Sequence, residues 1–148
     1  MSRNKKSGFT LVEILIVVII LGILAAVVIP QFTNASQDAR RNSLKSLLQT
    51  LRSQIELYKL QHGDAVPDLV TDWTPLTETS TYGNPAQTFG PYLQQSPTNP
   101  LNGNSTVEDG DGTGAAGAAC GFVFDYNGGA GTGRIWGTDT DGTTIFVE

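Results

Sequence analysis

Between Phe9 and Ile29 the chain is apolar at every position except Thr10, Glu13 and Gly22. Coiled into a helix at about 1.5 Å per residue, this run spans roughly 32 Å, close to the hydrocarbon thickness of a bilayer. A chain of 148 residues has no core able to surround a helix that is apolar on every face, so the run reads as a membrane span. A secretory signal peptide also begins basic and turns apolar, but no A-x-A cleavage site lies in or just after this run, and a carboxylate inside it is foreign to such peptides. Past Pro30 the pattern changes to amphipathic. Leu44, Leu47, Leu48, Leu51, Ile55 and Tyr58 follow helical spacing, with Arg41, Lys45, Gln49, Arg52, Glu56 and Lys59 largely on other faces. The spacing predicts a helix ending near His62-Gly63, with Gly63 as a left-handed cap. Pro30 removes one backbone donor, so a bend or local loosening is expected there.

From Asp64 to about Ser105 the apolar positions thin to isolated anchors, Leu69, Trp73, Leu76, Phe89 and Tyr92, among Pro, Thr and Asn. An ordered, irregular loop with one short helix is expected. Strand patterns return at Gly121–Tyr126 (GFVFDY) and Gly133–Gly137 (GRIWG), joined by the Gly-rich turn Asn127–Gly131, with a third at Thr144–Val147 (TIFV). The expected fold class is α+β: a long N-terminal helix, bent near Pro30, packed on a small domain of loops and a short antiparallel sheet.

Charge narrows the function. Lys and Arg number 9 against 14 Asp and Glu, a net charge of -5, and Arg134 is the only Lys or Arg after Lys59. An acidic C-terminal half argues against nucleic acid as a partner, because phosphate binding needs clustered cations. Its oxygen-rich loops suit a hard cation better. Arg3, Lys5 and Lys6 precede the apolar run, and Arg40, Arg41 and Lys45 follow it, so the charge rule favours a cytoplasmic N-terminus only mildly. The single cysteine, Cys120, excludes an intrachain disulfide and reads as a small apolar filler in a strand. His62, the only histidine, reads as a surface residue at the helix end. No serine, cysteine or carboxylate has a matching histidine to form a catalytic constellation, and His62 would have to serve every such role, so an enzyme is not expected. Gly112, Gly114 and Gly117 spell G-x-G-x-x-G, but without the βαβ setting that a dinucleotide site requires. The sequons at Asn34 and Asn104 read as chance.

The block KKSGFTLVEILIVVIILGILAAVVIP closely resembles the N-terminus of type IV prepilins and type II secretion pseudopilins. The resemblance covers about the first 35 residues. It implies a leader at 1–8, cleaved after Gly8 by a prepilin peptidase, with Phe9 as the new N-terminal residue and the site of N-methylation. Glu13 falls where the family places its glutamate, and Pro30 where it places a helix-bending proline. The implied organisation is leader 1–8, membrane and filament-core helix 9–29, amphipathic helix 30–63 and periplasmic domain 64–148. GPYLQQSPTNPLNG, Gly90–Gly103, is similar to a loop of the major pseudopilins, the branch that this chain most resembles.

Glu13 then has two readings. A helical turn separates it from Phe9, so its carboxylate can pair with the Phe9 amine freed by cleavage in the same chain, and it also suits a helix N-terminus. Alternatively it meets the Phe9 amine of a neighbouring subunit and sets the axial register of a filament. The spacing leaves both open; the resemblance favours the second. The acidic turn TDTDG, Thr138–Gly142, makes Asp139 and Asp141 candidate calcium (Ca2+) ligands, since major pseudopilins often bind calcium in a C-terminal loop. Glu108–Gly112 reads as a second, solvated Asp-Gly turn. The function implied is a structural subunit of a type II secretion pseudopilus. Such a subunit waits in the bacterial inner membrane and is assembled into a homo-oligomeric filament with an assembly platform, an ATPase and minor pseudopilins. The alternative is a type IV pilin forming surface fibres for adhesion, motility or DNA uptake.

Overall fold

A computed structural model describes residues 8–114 and 116–147. The leader cations Arg3, Lys5 and Lys6 lie outside the described residues. Two compact units divide at Asp38 and Ala39. The first is built on α1 (Leu11–Gln61), whose apolar side chains from Leu11 to Ile29 are exposed all round. That helix is long and apolar enough to cross a membrane, with none of its most apolar stretch buried. Helical assignment continues at Pro30, and the Thr33 hydroxyl donates to the Ile29 carbonyl at 3.3 Å.

In the second unit, α1 is the spine. Leu44, Leu48, Leu51 and Ile55 are fully buried, as their helical spacing predicts, each contributing roughly 1.5–3 kcal/mol of transfer free energy. They meet Phe122, Phe124 and Ile135 of a sheet, with Leu69, Trp73, Leu76, Leu101 and Phe146 closing the core. At the helix end the Asp64 amide donates to the Lys59 carbonyl at 2.8 Å while Gly63 holds φ +63°. This is the Schellman arrangement expected of Gly63. Gly137 has no side chain because the strand there runs against Leu44; a Cβ would lie 2.8 Å from Leu44 Cδ2.

The short helix is α2 (Thr74–Thr77), and two predicted strands are present: β4 (Phe122–Phe124) and β5 (Ile135–Gly137), antiparallel, joined through a 3-10 turn at Asn127–Gly129. Three expectations are corrected. Thr144–Val147 is not a strand; it makes an isolated bridge, Thr138 to Ile145, and Phe146 donates to Gly137. The third strand is β3 (Val107–Asp109), parallel to β4, so the sheet is mixed and ordered β3-β4-β5. Glu108 and Asp109 are therefore in a strand rather than a turn. A parallel pair needs a crossover on the order of a dozen residues, which Gly110–Gly121 supplies, and the Gly112-Gly114-Gly117 pattern is part of it.

The second correction is a hairpin inside the expected irregular loop: β1 (Ser80–Tyr82) pairs with β2 (Gln87–Phe89), Ser80 opposite Phe89. The third is His62, which is 4% exposed rather than on the surface. Its ring stacks on Tyr58 at 3.9 Å and 4°, and Tyr82, Phe89 and Tyr92 enclose it. One ring nitrogen lies 2.8 Å from the Ser80 hydroxyl and the other 3.0 Å from the Tyr58 carbonyl. His62 thus docks the hairpin onto the end of α1.

Candidate functional site

The helix head is organised by four residues, T-L-V-E. Thr10 precedes α1, and its carbonyl takes the first helical bond, from the Ile14 amide, at 3.4 Å. Its hydroxyl accepts from the Glu13 amide at 3.2 Å. Glu13 Oε2 accepts in return from the Thr10 amide at 2.7 Å and the Thr10 hydroxyl at 2.8 Å. This reciprocal arrangement is a capping box, the Ser/Thr-x-x-Glu device that satisfies donors left open at a helix start. The Thr10-x-x-Glu13 spacing makes this motif legible in the sequence. Both donors go to Oε2, and among the described residues nothing donates to Oε1. Phe9, just before the cap, is 80% exposed, and a Cβ built on Gly8 would meet nothing within 4 Å. Gly8, Phe9 and Glu13 are thus gathered on one accessible helix head.

The other candidate site is the turn Thr138–Gly142. Each aspartate is folded back on its own backbone. Asp139 Oδ1 accepts from the Thr140 amide at 2.7 Å. Asp141 Oδ1 accepts from the Thr143 and Thr144 amides, both at 2.9 Å, and Oδ2 from the Thr144 hydroxyl at 2.5 Å. The hydroxyl of Thr144, first, and these amides hold the Asp141 carboxyl far below the usual carboxylate range. Among the described residues no three His, Cys, Asp or Glu side chains converge as a metal centre would require. Among the described residues, Asp139 Oδ2 and the carbonyl oxygens of Thr140 and Asp141 accept no hydrogen bond, so the turn keeps oxygens of the kind a hard cation takes.

The aspartates of Glu108–Gly112 have the same character. Asp109 accepts from the Tyr126 and Asn127 amides at 3.0 and 3.1 Å, and Asp111 from the Thr113 hydroxyl at 2.6 Å. Cys120 is buried just before β4, where burial, then the Glu108 charge, pushes its thiol up and leaves it inert.

The sequence reading missed Asn99 and Asn102. Asn99 is fully buried and donates to the carbonyls of Gly121 (2.7 Å) and Thr138 (2.8 Å), while its own carbonyl accepts from the Leu101 amide (2.9 Å). Asn102 donates to the Thr138 hydroxyl (2.8 Å) and the Asp139 carbonyl (3.0 Å). Two asparagines three apart in a Pro-rich loop were the available signal.

Comparison with known proteins agrees with the helix head. A family described as the prokaryotic N-terminal methylation motif matches residues 3–29. Type II secretion system core protein G of Pseudomonas aeruginosa is 42% identical over 62 residues, 42% of this chain and 44% of that protein. Its counterpart in Aeromonas hydrophila is 29% identical over 106 residues, 68% of this chain and 71% of that one. A ComG operon protein 3 homolog of Bacillus licheniformis is 32% identical over 65 residues, 44% of this chain and 66% of that one. The alignment thus spans less than half of the Pseudomonas relative. No solved structure matches. The chain thus carries the prokaryotic N-terminal methylation motif at the head of a capped, apolar helix and is similar to the type II secretion system core protein G of several bacteria.

Proposed function

We propose that the chain is a structural subunit of a type II secretion pseudopilus, a filament that drives protein export across the outer membrane. The observation that carries this reading is the helix head: a methylation motif over residues 3–29, whose glutamate is capped through one oxygen only. Before assembly the subunit sits in the inner membrane with its distal domain in the periplasm. A bare carboxylate there is costly, and the Thr10 donors offset part of that cost. Prepilin peptidase cleaves after Gly8 and methylates the Phe9 amine, creating a positive charge at the head of an apolar helix. Glu13 Oε1 is the acceptor that remains for that charge on a neighbouring subunit, so the pair forms as subunits stack. An assembly platform and its ATPase extract the subunits, and minor pseudopilins begin the filament. A buried pair of this kind sets register more than it adds stability.

The test follows processing and assembly separately in cells that carry the secretion system. Gly8→Asp is expected to leave the subunit uncleaved, by immunoblot. Glu13→Ala is expected to be inserted and cleaved as the unaltered chain is, yet to yield filaments reduced by tenfold or more, ~1.4 kcal/mol per tenfold step. Normal filament yield from Glu13→Ala would sink the intersubunit pair. The methylation motif, which type IV prepilins share in the resemblance above, supports a second reading, a type IV pilin forming surface fibres. Long fibres outside the cell, with no export defect on deletion, would favour it.

A further inference from the structure

Asn102 and Asn127 are the two asparagines of this chain that a glycine follows. Such a pair carries a latent reaction. The glycine amide nitrogen, with no Cβ beside it to hinder approach, attacks the side-chain Cγ of the asparagine before it. A bond forms from that nitrogen to Cγ, the bond from Cγ to Nδ2 breaks, and ammonia leaves with the proton that the attacking nitrogen gave up. Water then opens the resulting succinimide ring at either carbonyl, giving aspartate or isoaspartate. The chemistry needs only an uncommitted nitrogen, an uncommitted side-chain amide and water.

The fold treats the two pairs oppositely. At Asn102 every participant is engaged. Nδ2 donates to Cys120 O at 3.1 Å, to Thr138 Oγ1 at 2.8 Å and to Asp139 O at 3.0 Å, and Oδ1 accepts from the Asn104 amide at 3.0 Å. The Gly103 nitrogen, which would be the nucleophile, donates to Asn99 O at 2.8 Å. At Asn127 the backbone amide is tied to Asp109 Oδ1 at 3.1 Å, but among the described residues neither the side-chain amide nor the Gly128 nitrogen has a hydrogen-bond partner. Both residues are exposed, and a Cβ built on Gly128 would meet nothing within 4 Å, so water reaches the pair. Asn127 also holds φ +43°, a conformation that costs a residue with a side chain and favours opening of the turn.

We propose that Asn127 is a site of spontaneous deamidation, with the Gly128 nitrogen as its nucleophile, and that the fold shields Asn102 from the same reaction. The product places a new carboxylate in the turn between β4 and β5, beside Asp109, where like charges repel. Its isoaspartyl form also lengthens the main chain by a methylene at the point where the Asn127 amide meets Asp109. The reaction stands independently of the filament reading.

The experiment incubates the full chain in detergent micelles at neutral pH for days, then digests it with chymotrypsin, which cuts after Tyr126 and Trp136 and so separates Asn127 from Asn102. Mass spectrometry reads both peptides against an unincubated sample. Asn127 is expected to convert at least about tenfold faster than Asn102, because Asn102 must first release its hydrogen bonds. A mixture of aspartate and isoaspartate is the expected product. In guanidinium chloride, where neither pair has a partner, the two rates are expected to agree within about twofold. Equal rates in the folded chain, an unconverted Asn127, or aspartate as the sole product would each overturn the proposal. A difference that persists in the denaturant overturns it too, by tracing the contrast to flanking sequence instead of the fold.

Discussion

The two units treat a carboxylate with the same chemistry and opposite consequences. Glu13, in the apolar first unit, and Asp141, in the acidic second, each accept from a threonine hydroxyl and from backbone amides. At Asp141 both oxygens are engaged, so the group is spent on shaping a turn in water. At Glu13 one oxygen takes every bond, and among the described residues nothing donates to the other. In water an unused acceptor costs little because solvent fills it; in lipid it costs several kcal/mol and marks a group held for a purpose. The difference teaches that acidity alone locates nothing here. On the filament reading the function is attached to Glu13, and the abundant carboxylates of the distal domain shape its turns.

The sharpest way to break that comparison is Glu13→Gln, with the largest expected effect. The amide oxygen can still accept from Thr10, so the cap survives while the charge is lost. Filament yield is expected to fall by an order of magnitude or more, as for Glu13→Ala, with cleavage unchanged. Wild-type yield from Glu13→Gln would mean that the carboxylate serves only its own helix, as the distal aspartates serve their turns.

How much of this was legible follows from how local each signal is. The amphipathic stripe of Leu44, Leu48, Leu51 and Ile55 states its own burial, and Gly63 its own cap, because both depend on neighbours within one or two helical turns. β4 and β5 were visible as apolar runs flanking a Gly-rich turn. β3 was hidden because VED is polar, and its place is set by the parallel partner Phe122–Phe124, reached through a long crossover. His62 was misplaced for the same reason: Tyr82, Phe89 and Tyr92 that bury it are remote in sequence. Of the candidate site, Gly8, Phe9 and Glu13 were named from the motif. The capping box lay in plain view, and the Asn99–Asn102 clasp requires three segments that only folding brings together.

A second prediction separates the two kinds of carboxylate by pH. The carboxyls of Asp72, Asp111 and Asp125 are held low, each first by its threonine hydroxyl and then by a threonine amide, and that of Asp141 lower still. A folded-state pKa below the unfolded value of about 3.9 means that the unfolded chain binds protons first as pH falls. The stabilisation is therefore fully present above about pH 5 and is lost as pH drops through the folded values. Melting midpoints of the distal domain are expected to hold steady from neutrality to about pH 5 and to decline below about pH 4. Constant midpoints down to about pH 2 would show that the aspartate–threonine turns contribute nothing to folding.

The smallest expected effect tests the lipid-side pair from the other partner. Thr10→Val keeps the β-branched shape and the backbone amide that donates to Glu13 Oε2, but removes the hydroxyl that donates to Oε2 and accepts from the Glu13 amide. Losing a side-chain cap costs about 1 kcal/mol, which is roughly a fivefold change in local opening. Amide hydrogen exchange at Glu13, in the processed chain in micelles, should therefore quicken about fivefold, with the distal domain unchanged. Filament yield should fall by less than for Glu13→Gln, because the charge and the free oxygen both remain. If exchange at Glu13 is unaltered, the cap does not hold the helix head. If instead Thr10→Val abolishes filaments as fully as Glu13→Gln, the carboxylate must be aimed by Thr10 before it can meet its partner. Cap and assembly contact would then be one device rather than two.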